Sequence, residues 1–312
     1  MRKLFMMAAV AVMSMSLLTG CGSKQTQNDS KKESAETVTI THSKGEVEVP
    51  TDVKKAVVFE LSVLDTIDAL GASVELGLPG GLPEYLKGYE KDATNVGSMK
   101  EANVEAIYDF DPDVIFIGGR LESYYEELSK IAPTVYVSLS ADNYIADVKE
   151  NINNVATIFN KTEEAKAKLA ELDEKAEEAK TLANGTDQKA LMLLANEGSL
   201  SVYGSGSRYG FIHDSLGVKS ADENIEVSTH GQDASYEYIS ETNPDILFVI
   251  DRSAAVGGSV NAKDSLSNDL VNGTIAAIND KIVYLNSTIW YLAGGGLNST
   301  IHQINEVIGA LK

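Results

Sequence analysis

Residues 104–120, VEAIYDFDPDVIFIGGR, return at an offset of 132 as residues 236–252, YEYISETNPDILFVIDR. Glu105 matches Glu237, Ile107 matches Ile239, Pro112 matches Pro244, Asp113 matches Asp245 and Arg120 matches Arg252. Each copy reads as a helix end, a Pro-Asp turn, an apolar run short enough for a buried strand, and an arginine where that strand stops. A weaker echo links APTVYVSL (132–139) with DKIVYLNS (280–287). Self-similarity at this spacing predicts two topologically alike halves.

Further apolar runs extend the pattern. Val57-Val58-Phe59, Val114–Ile117, Val135–Val137, Leu191–Leu194, Ile246–Ile250 and Ile282–Leu285 read as buried strands, and Leu64, Ile67 and Leu70 fall at helical spacing. Alternation of strands with helices predicts an α/β fold: two Rossmann-like lobes, each a central sheet flanked by helices, with a ligand cleft between them. Open sheets of this kind bind ligands beyond the carboxyl ends of their strands, where Arg120 and Arg252 are expected. Between the halves, Val148, Ile152, Val155 and Phe159 form one apolar stripe; after a break at Asn160–Thr162 a second runs Ala165, Leu169, Leu172, Ala176, Ala179. Residues 163–182 hold no Gly or Pro, so a continuous helix of about 30 Å is expected there as a stiff spine. Thr162 with Glu163 and Glu164 supplies its expected cap and acidic first turn. The division expected is 37–160 for the N-terminal lobe, 161–184 for the linking helix and 185–312 for the C-terminal lobe.

The start of the chain is an address. Arg2 and Lys3 precede an apolar run from Leu4 to about Leu18, then Thr19-Gly20-Cys21, which describes a secretory signal over residues 1–20. The run falls short of the about 20 residues of a comfortable bilayer span. Leu18-Thr19-Gly20-Cys21 resembles a bacterial lipobox, in which the cysteine takes a diacylglycerol and becomes the mature N-terminus. Residues 22–36 carry no aromatic or large aliphatic side chain, so 21–36 reads as a flexible tether. The expectation is an extracytoplasmic protein, lipid-anchored through Cys21 to the outer face of the cell membrane. With Cys21 the sole cysteine, a disulfide framework and a cysteine-rich metal site are excluded.

Charge narrows the partners. The chain has 46 acidic against 26 basic residues, a net −20. Removal of residues 1–20 takes away Arg2 and Lys3 and no acid, leaving 24 bases against 46 acids and −22. Such a surface repels phosphate backbones, and no basic stretch with interleaved aromatics is present, so nucleic acid is excluded. Against this field an anion needs a focused cluster of positive groups. Arg120 follows Gly118-Gly119, Arg208 lies in the loop YGSGSRYG (203–210) before a helix near Phe211, and Arg252 ends the second repeat. Permanently charged guanidinium groups at loop edges suit anionic oxygen, and together they point to one shared anionic ligand. His230, in Ser228-Thr229-His230-Gly231, and Tyr291, in the glycine-rich turn IWYLAGGG (289–296), could offer imidazole nitrogen and phenolate oxygen to a hard ion such as Fe³⁺; spacing alone leaves ordinary structural roles open. The four histidines, His42, His213, His230 and His302, lie in unrelated contexts, unlike a bare Mn²⁺ or Zn²⁺ site. A hydrolase alternative would use His230 with Asp233 as base and Ser205 or Ser207 as nucleophile, but no nucleophile elbow or phosphate loop accompanies them.

The lipobox, the Pro-Asp strand repeats, the linking helix and the Trp290–Gly296 turn together resemble the class III (cluster A) substrate-binding lipoproteins of ABC importers. The similarity is greatest to the branch binding ferric catecholate siderophores of the petrobactin and enterobactin type, and it covers nearly all of residues 37–312. The resemblance implies a binding protein and not an enzyme. It makes Arg120, Arg208 and Arg252 the basic cleft, balancing a ferric tris-catecholate of about three negative charges. It makes His230 and Tyr291 direct iron ligands when a tetradentate catecholate leaves two positions open; a hexadentate ligand leaves none. Lys100 is a further cleft candidate, and Tyr203, Tyr209 and Trp290 are candidate faces for catechol rings. Glu105 and Glu237 are the expected docking pair for arginines of the permease. No intrinsic cofactor is implied, Fe(III) arriving only within the siderophore; the partners are that chelate, the permease with its ATPase, and the membrane, for a monomer. Same-fold alternatives are binders of haem, cobalamin or ferric hydroxamates, of which the last two need fewer arginines.

Overall fold

The computed structural model describes residues 36–312. The expected signal (1–20), Cys21 and the tether through residue 35 lie outside the described residues. After an antiparallel hairpin, Thr37–His42 with Gly45–Pro50, two sheets follow in sequence. The first is all parallel, in the spatial order Thr94–Asn95, Glu75–Leu78, Lys55–Val58, Val114–Ile117, Thr134–Tyr136. The second is mixed, in the order Gln232–Ala234, Ser199–Tyr203, Lys189–Asn196, Ile246–Asp251, Ile282–Tyr284, with Lys219–Ser220 also on Lys189–Asn196. Its last three strands are parallel and the hairpin to Ser199–Tyr203 is antiparallel.

Alternation along each strand sorts the core. Val114 and Phe116 enter one apolar cluster while Ile115 and Ile117 enter another on the opposite face. Ala190, Met192 and Leu194 likewise part from Leu191, Leu193 and Ala195. Both faces are covered, which is why these strands read as unbroken apolar runs. The first cluster is shared by both sheets through the helices Leu61–Leu70, Tyr144–Ile158, Thr162–Asn184 and Leu297–Leu311. The halves therefore have outer cores of their own and one inner core in common.

The repeat has a local physical cause. Helices Val104–Phe110 and Tyr236–Thr242 are capped by Asn103 and Ser235, whose side chains accept from the amides of Ala106 and Tyr238. They end on Asp111 (φ 53°) and Asn243 (φ 45°), short polar residues that tolerate the left-handed region. The aspartate after each proline then ties its strand to the preceding parallel one. Asp113 Oδ2 accepts from Lys54 and Lys55 amides at 2.7 and 2.9 Å, and Asp245 Oδ2 from Lys189 at 2.8 Å. Replacing either aspartate by Ala is expected to cost about 1–2 kcal/mol, since each carboxylate is a charged acceptor only half withdrawn from water. Urea unfolding of the two variants measures it; unchanged midpoints would remove this explanation of the repeat.

The linking helix is Thr162–Asn184 and packs on the final helix, but its start differs from expectation. Lys161 occupies the cap position without a side-chain bond, and Thr162 is already helical. Glu163 and Glu164 still place negative charge in the first turn, and Lys161 pairs with Glu164 at 2.9 Å. Asn160, at φ 54°, makes the break.

Candidate functional site

Carboxyl ends of strands from both sheets open on one cavity of about 510 Å³. Glu60 and Ser62 follow Lys55–Val58; Gly119 and Arg120 follow Val114–Ile117; Ser138–Ala141 follow Thr134–Tyr136. The opposite wall is built by Ser207, Arg208 and Tyr209, by Val227–Thr229 and by Trp290–Leu292.

Two arginines from different halves meet at one atom. Nη2 of Arg120 and Nη2 of Arg208 donate to the Tyr291 carbonyl at 3.1 and 2.8 Å. Those nitrogens are thus at most about 6 Å apart, where like charges repel by about 3 kcal/mol at an effective dielectric of about 20. Arg252 stands one layer back and does not line the cavity; its Nε donates to the Tyr291 hydroxyl at 2.7 Å and its Nη1 to Asn196 at 2.6 Å. The Arg208 and Arg252 guanidinium carbons lie 4.9 and 5.2 Å from the centre of the Tyr291 ring. These are three of the chain's four arginines. Among the described residues no carboxylate pairs with any of them, in a protein dominated by acids. Burial raises the Tyr291 phenol, but the Arg252 hydrogen bond and the charges of Arg252, Arg208 and Arg120 outweigh it and hold the phenol below its ordinary 10.0.

The turn carrying Tyr291 is clamped from the N-terminal half. Asp65, fully buried on Leu61–Leu70, accepts from the Ser299 amide at 3.1 Å, and Thr66 Oγ1 accepts from the Leu297 amide at 3.2 Å. Donors exposed at the start of the final helix are thereby satisfied by side chains from the other sheet's helix. Gly296 must lack a side chain, because a Cβ would meet the Asp65 carboxylate and lie 2.6 Å from the Ser62 carbonyl.

Other expected residues are placed less uniformly. Trp290, 2% exposed, is packed between ring systems (Phe211 at 5.5 Å, stacked) and donates its indole N–H to Glu306 at 2.6 Å, so it borders the cavity without offering a free face. Tyr209, 3% exposed, has its ring under Arg208 at 5.0 Å. Tyr203 is buried off the cavity; its hydroxyl donates to the His230 carbonyl at 2.8 Å and holds that loop. His230 is exposed beside the lining residues Val227–Thr229 and is not itself among them. Lys100 is exposed on the tight hairpin Gly97–Ser98 with Glu101–Ala102, away from the lining. Glu105 and Glu237 occupy the first turns of the two repeat helices, both exposed. Neither proposed nucleophile addresses His230: Ser205 Oγ bonds Asp214, and Ser207 Oγ donates to the Gly204 carbonyl at 2.5 Å. No group of three or more His, Cys, Asp or Glu converges among the described residues. No described helix is long and apolar enough to cross a membrane.

Sequence reasoning missed Glu60, Ser62, the Ser138–Ala141 wall, Tyr136, Tyr144 and Gln303. A signal existed for the first three: they too follow buried strands, at the edge that pointed to Arg120. Tyr144 and Gln303, hydrogen-bonded to each other at 3.2 Å, come from helices and carried none.

Comparison with known proteins agrees with this architecture. The periplasmic binding protein family matches residues 57–288. The petrobactin-binding protein YclQ of Bacillus subtilis (strain 168) is 40% identical, over 99% of both chains. Its crystal structure superposes with a TM-score of 0.85 over 89% of this chain and 99% of that one. The ferric-anguibactin-binding protein FatB of Vibrio anguillarum is 33% identical over 96% of both. The structure of the periplasmic catecholate-siderophore binding protein VctP of Vibrio cholerae, 32% identical, matches at a TM-score of 0.82 over 87% of this chain and 99% of its own. Shared fold, coverage and identity place the chain in the periplasmic binding protein family, whose members bind solutes and do not transform them.

Proposed function

We propose that this protein captures an anionic ferric catecholate siderophore in the arginine-walled cavity and delivers it to an ABC importer for iron uptake. One observation carries the reading: guanidinium groups from both halves converge on a single carbonyl at the cavity wall, and among the described residues no carboxylate forms an ion pair with either. A chelate of about three negative charges relieves that repulsion, while a neutral hydroxamate or corrinoid does not. The lowered Tyr291 phenol suits it to give phenolate oxygen to iron, with His230 as a second ligand when the chelate is tetradentate. Cys21 would carry the lipid that keeps the protein outside the cytoplasm at the membrane surface. Glu105 and Glu237, on equivalent helices of the two halves, would meet arginines of the permease.

Trp290, the one tryptophan of the chain, borders the cavity and serves as reporter. Titration with ferric bis-catecholate, ferric tris-catecholate, ferric hydroxamate and haem is expected to quench its fluorescence at the lowest concentrations for the catecholates. Stronger binding of the hydroxamate or haem would sink the proposal. Replacing His230 or Tyr291 is expected to shift the iron charge-transfer band of the bis-catecholate complex and leave that of the hexadentate complex in place.

A further inference from the structure

Glu60 is an acid on the wall of a cavity otherwise built for anions. It precedes the helix Leu61–Leu70 with extended backbone, in the capping position, yet its side chain makes no capping bond. Its carboxylate lies against Gly118, where a Cβ would collide with Oε2. A residue larger than glycine at 118 would thus evict it, so the local packing reserves space for this carboxyl. The charged or titratable groups facing it are Arg120 on the segment after Val114–Ile117, Arg208 on the opposite loop and Tyr136 at its strand end; the amide and hydroxyl of Ser62 adjoin it. Both arginines donate to the Tyr291 carbonyl, and among the described residues neither forms an ion pair with Glu60.

We propose that Glu60 takes up one proton from solvent when a polyanionic chelate fills the cavity, so that the loaded cleft holds a neutral carboxylic acid at this position. The inference rests on the anion-cleft reading above. Three effects of loading act in the same direction. The chelate places negative charge near the carboxylate, it neutralises the two arginines that favour ionisation, and it displaces water from the cavity. Burial already holds the Glu60 carboxyl above its ordinary 4.5, against the pull of Arg120, the Ser62 amide and Arg208. A protonated Glu60 also becomes a hydrogen-bond donor to chelate oxygen, a role its carboxylate cannot fill.

Calorimetric titration of the full chain with ferric enterobactin, in phosphate and in Tris, reads the protons exchanged per chelate bound. The native protein is expected to take up protons, at most one per chelate, with affinity falling as pH rises through the range where that uptake is seen. Glu60→Gln is expected to take up none and to lose that slope, and Glu60→Ala to behave likewise. Equal uptake in the native protein and both variants, or zero uptake in the native protein, overturns the role of Glu60 alone. Failure of the native protein to bind either ferric enterobactin or a ferric bis-catecholate overturns the anion-cleft reading, and this inference with it.

Discussion

Arg208→Gln weakens binding of a ferric tris-catecholate by on the order of 100-fold, an expected loss of about 3 kcal/mol for removing one charge from a half-desolvated ionic contact. Arg208 is the natural target because it lines the cavity, covers the Tyr209 ring and shares the Tyr291 carbonyl with Arg120. Arg252→Gln acts through Tyr291, whose hydroxyl it holds, and is expected to cost less affinity while shifting the spectrum of a bis-catecholate complex. Arg208→Lys separates charge from shape: it keeps the positive group but not the planar fork, so it should recover only part of the loss. Fluorescence titration at two salt concentrations checks the set, because a charge-driven loss shrinks as salt rises. Undiminished affinity in Arg208→Gln, with the fold intact by circular dichroism, would end the basic-cleft account.

The second large effect concerns stability. Burial lifts the Asp65 carboxyl from 3.8 to about 6; bonds from the Ser299 and Asn298 amides and the Tyr85 hydroxyl oppose the rise, and neighbouring Asp68 adds to it. Between those two values the folded chain keeps a proton that the unfolded chain has lost. Folding is therefore favoured below pH 3.8, and that contribution, about 3 kcal/mol in all, disappears as pH rises through about 6 and stays absent above it. Asp65→Asn cannot ionise, so relative to the native protein it should gain about 3 kcal/mol between pH 3.8 and 7. Urea unfolding of both proteins at either end of that window gives the difference, in which the other carboxylates cancel. A difference that does not change with pH would show that Asp65 is not ionised at the expense of the fold.

Much of the architecture was legible because two periodicities were clean. The apolar runs at 114–117, 191–194 and 246–250 became strands with both faces covered, and the Pro-Asp repeat located equivalent turns in both halves. The linking helix was legible from its composition, but its cap was not, since whether Lys161 or Thr162 starts the helix depends on where the preceding turn at Asn160 ends. At the cavity, strand ends pointed to Arg120 and Arg208 converges with it. The same rule did not reveal that Arg252 stands behind Tyr291, because its reach depends on Asn196 in a neighbouring strand. Aromatic residues were the least readable. Tyr203, Tyr209 and Trp290 all looked like ring platforms, yet what each does is decided by contacts with His230, Arg208, and Phe211 with Glu306, partners up to 79 positions away.

The inner core common to both sheets bears on the timing of exchange. Helices that contribute to one apolar cluster from both sides cannot swing far apart without exposing it, so the two sheets are expected to shift little when the cavity fills. Capture is then expected to proceed at the pace of diffusion and charge steering, which stopped-flow quenching of Trp290 at two salt concentrations would check. For so stiff a vessel, differences in affinity are expected to lie in the rate of loss and not in the rate of uptake.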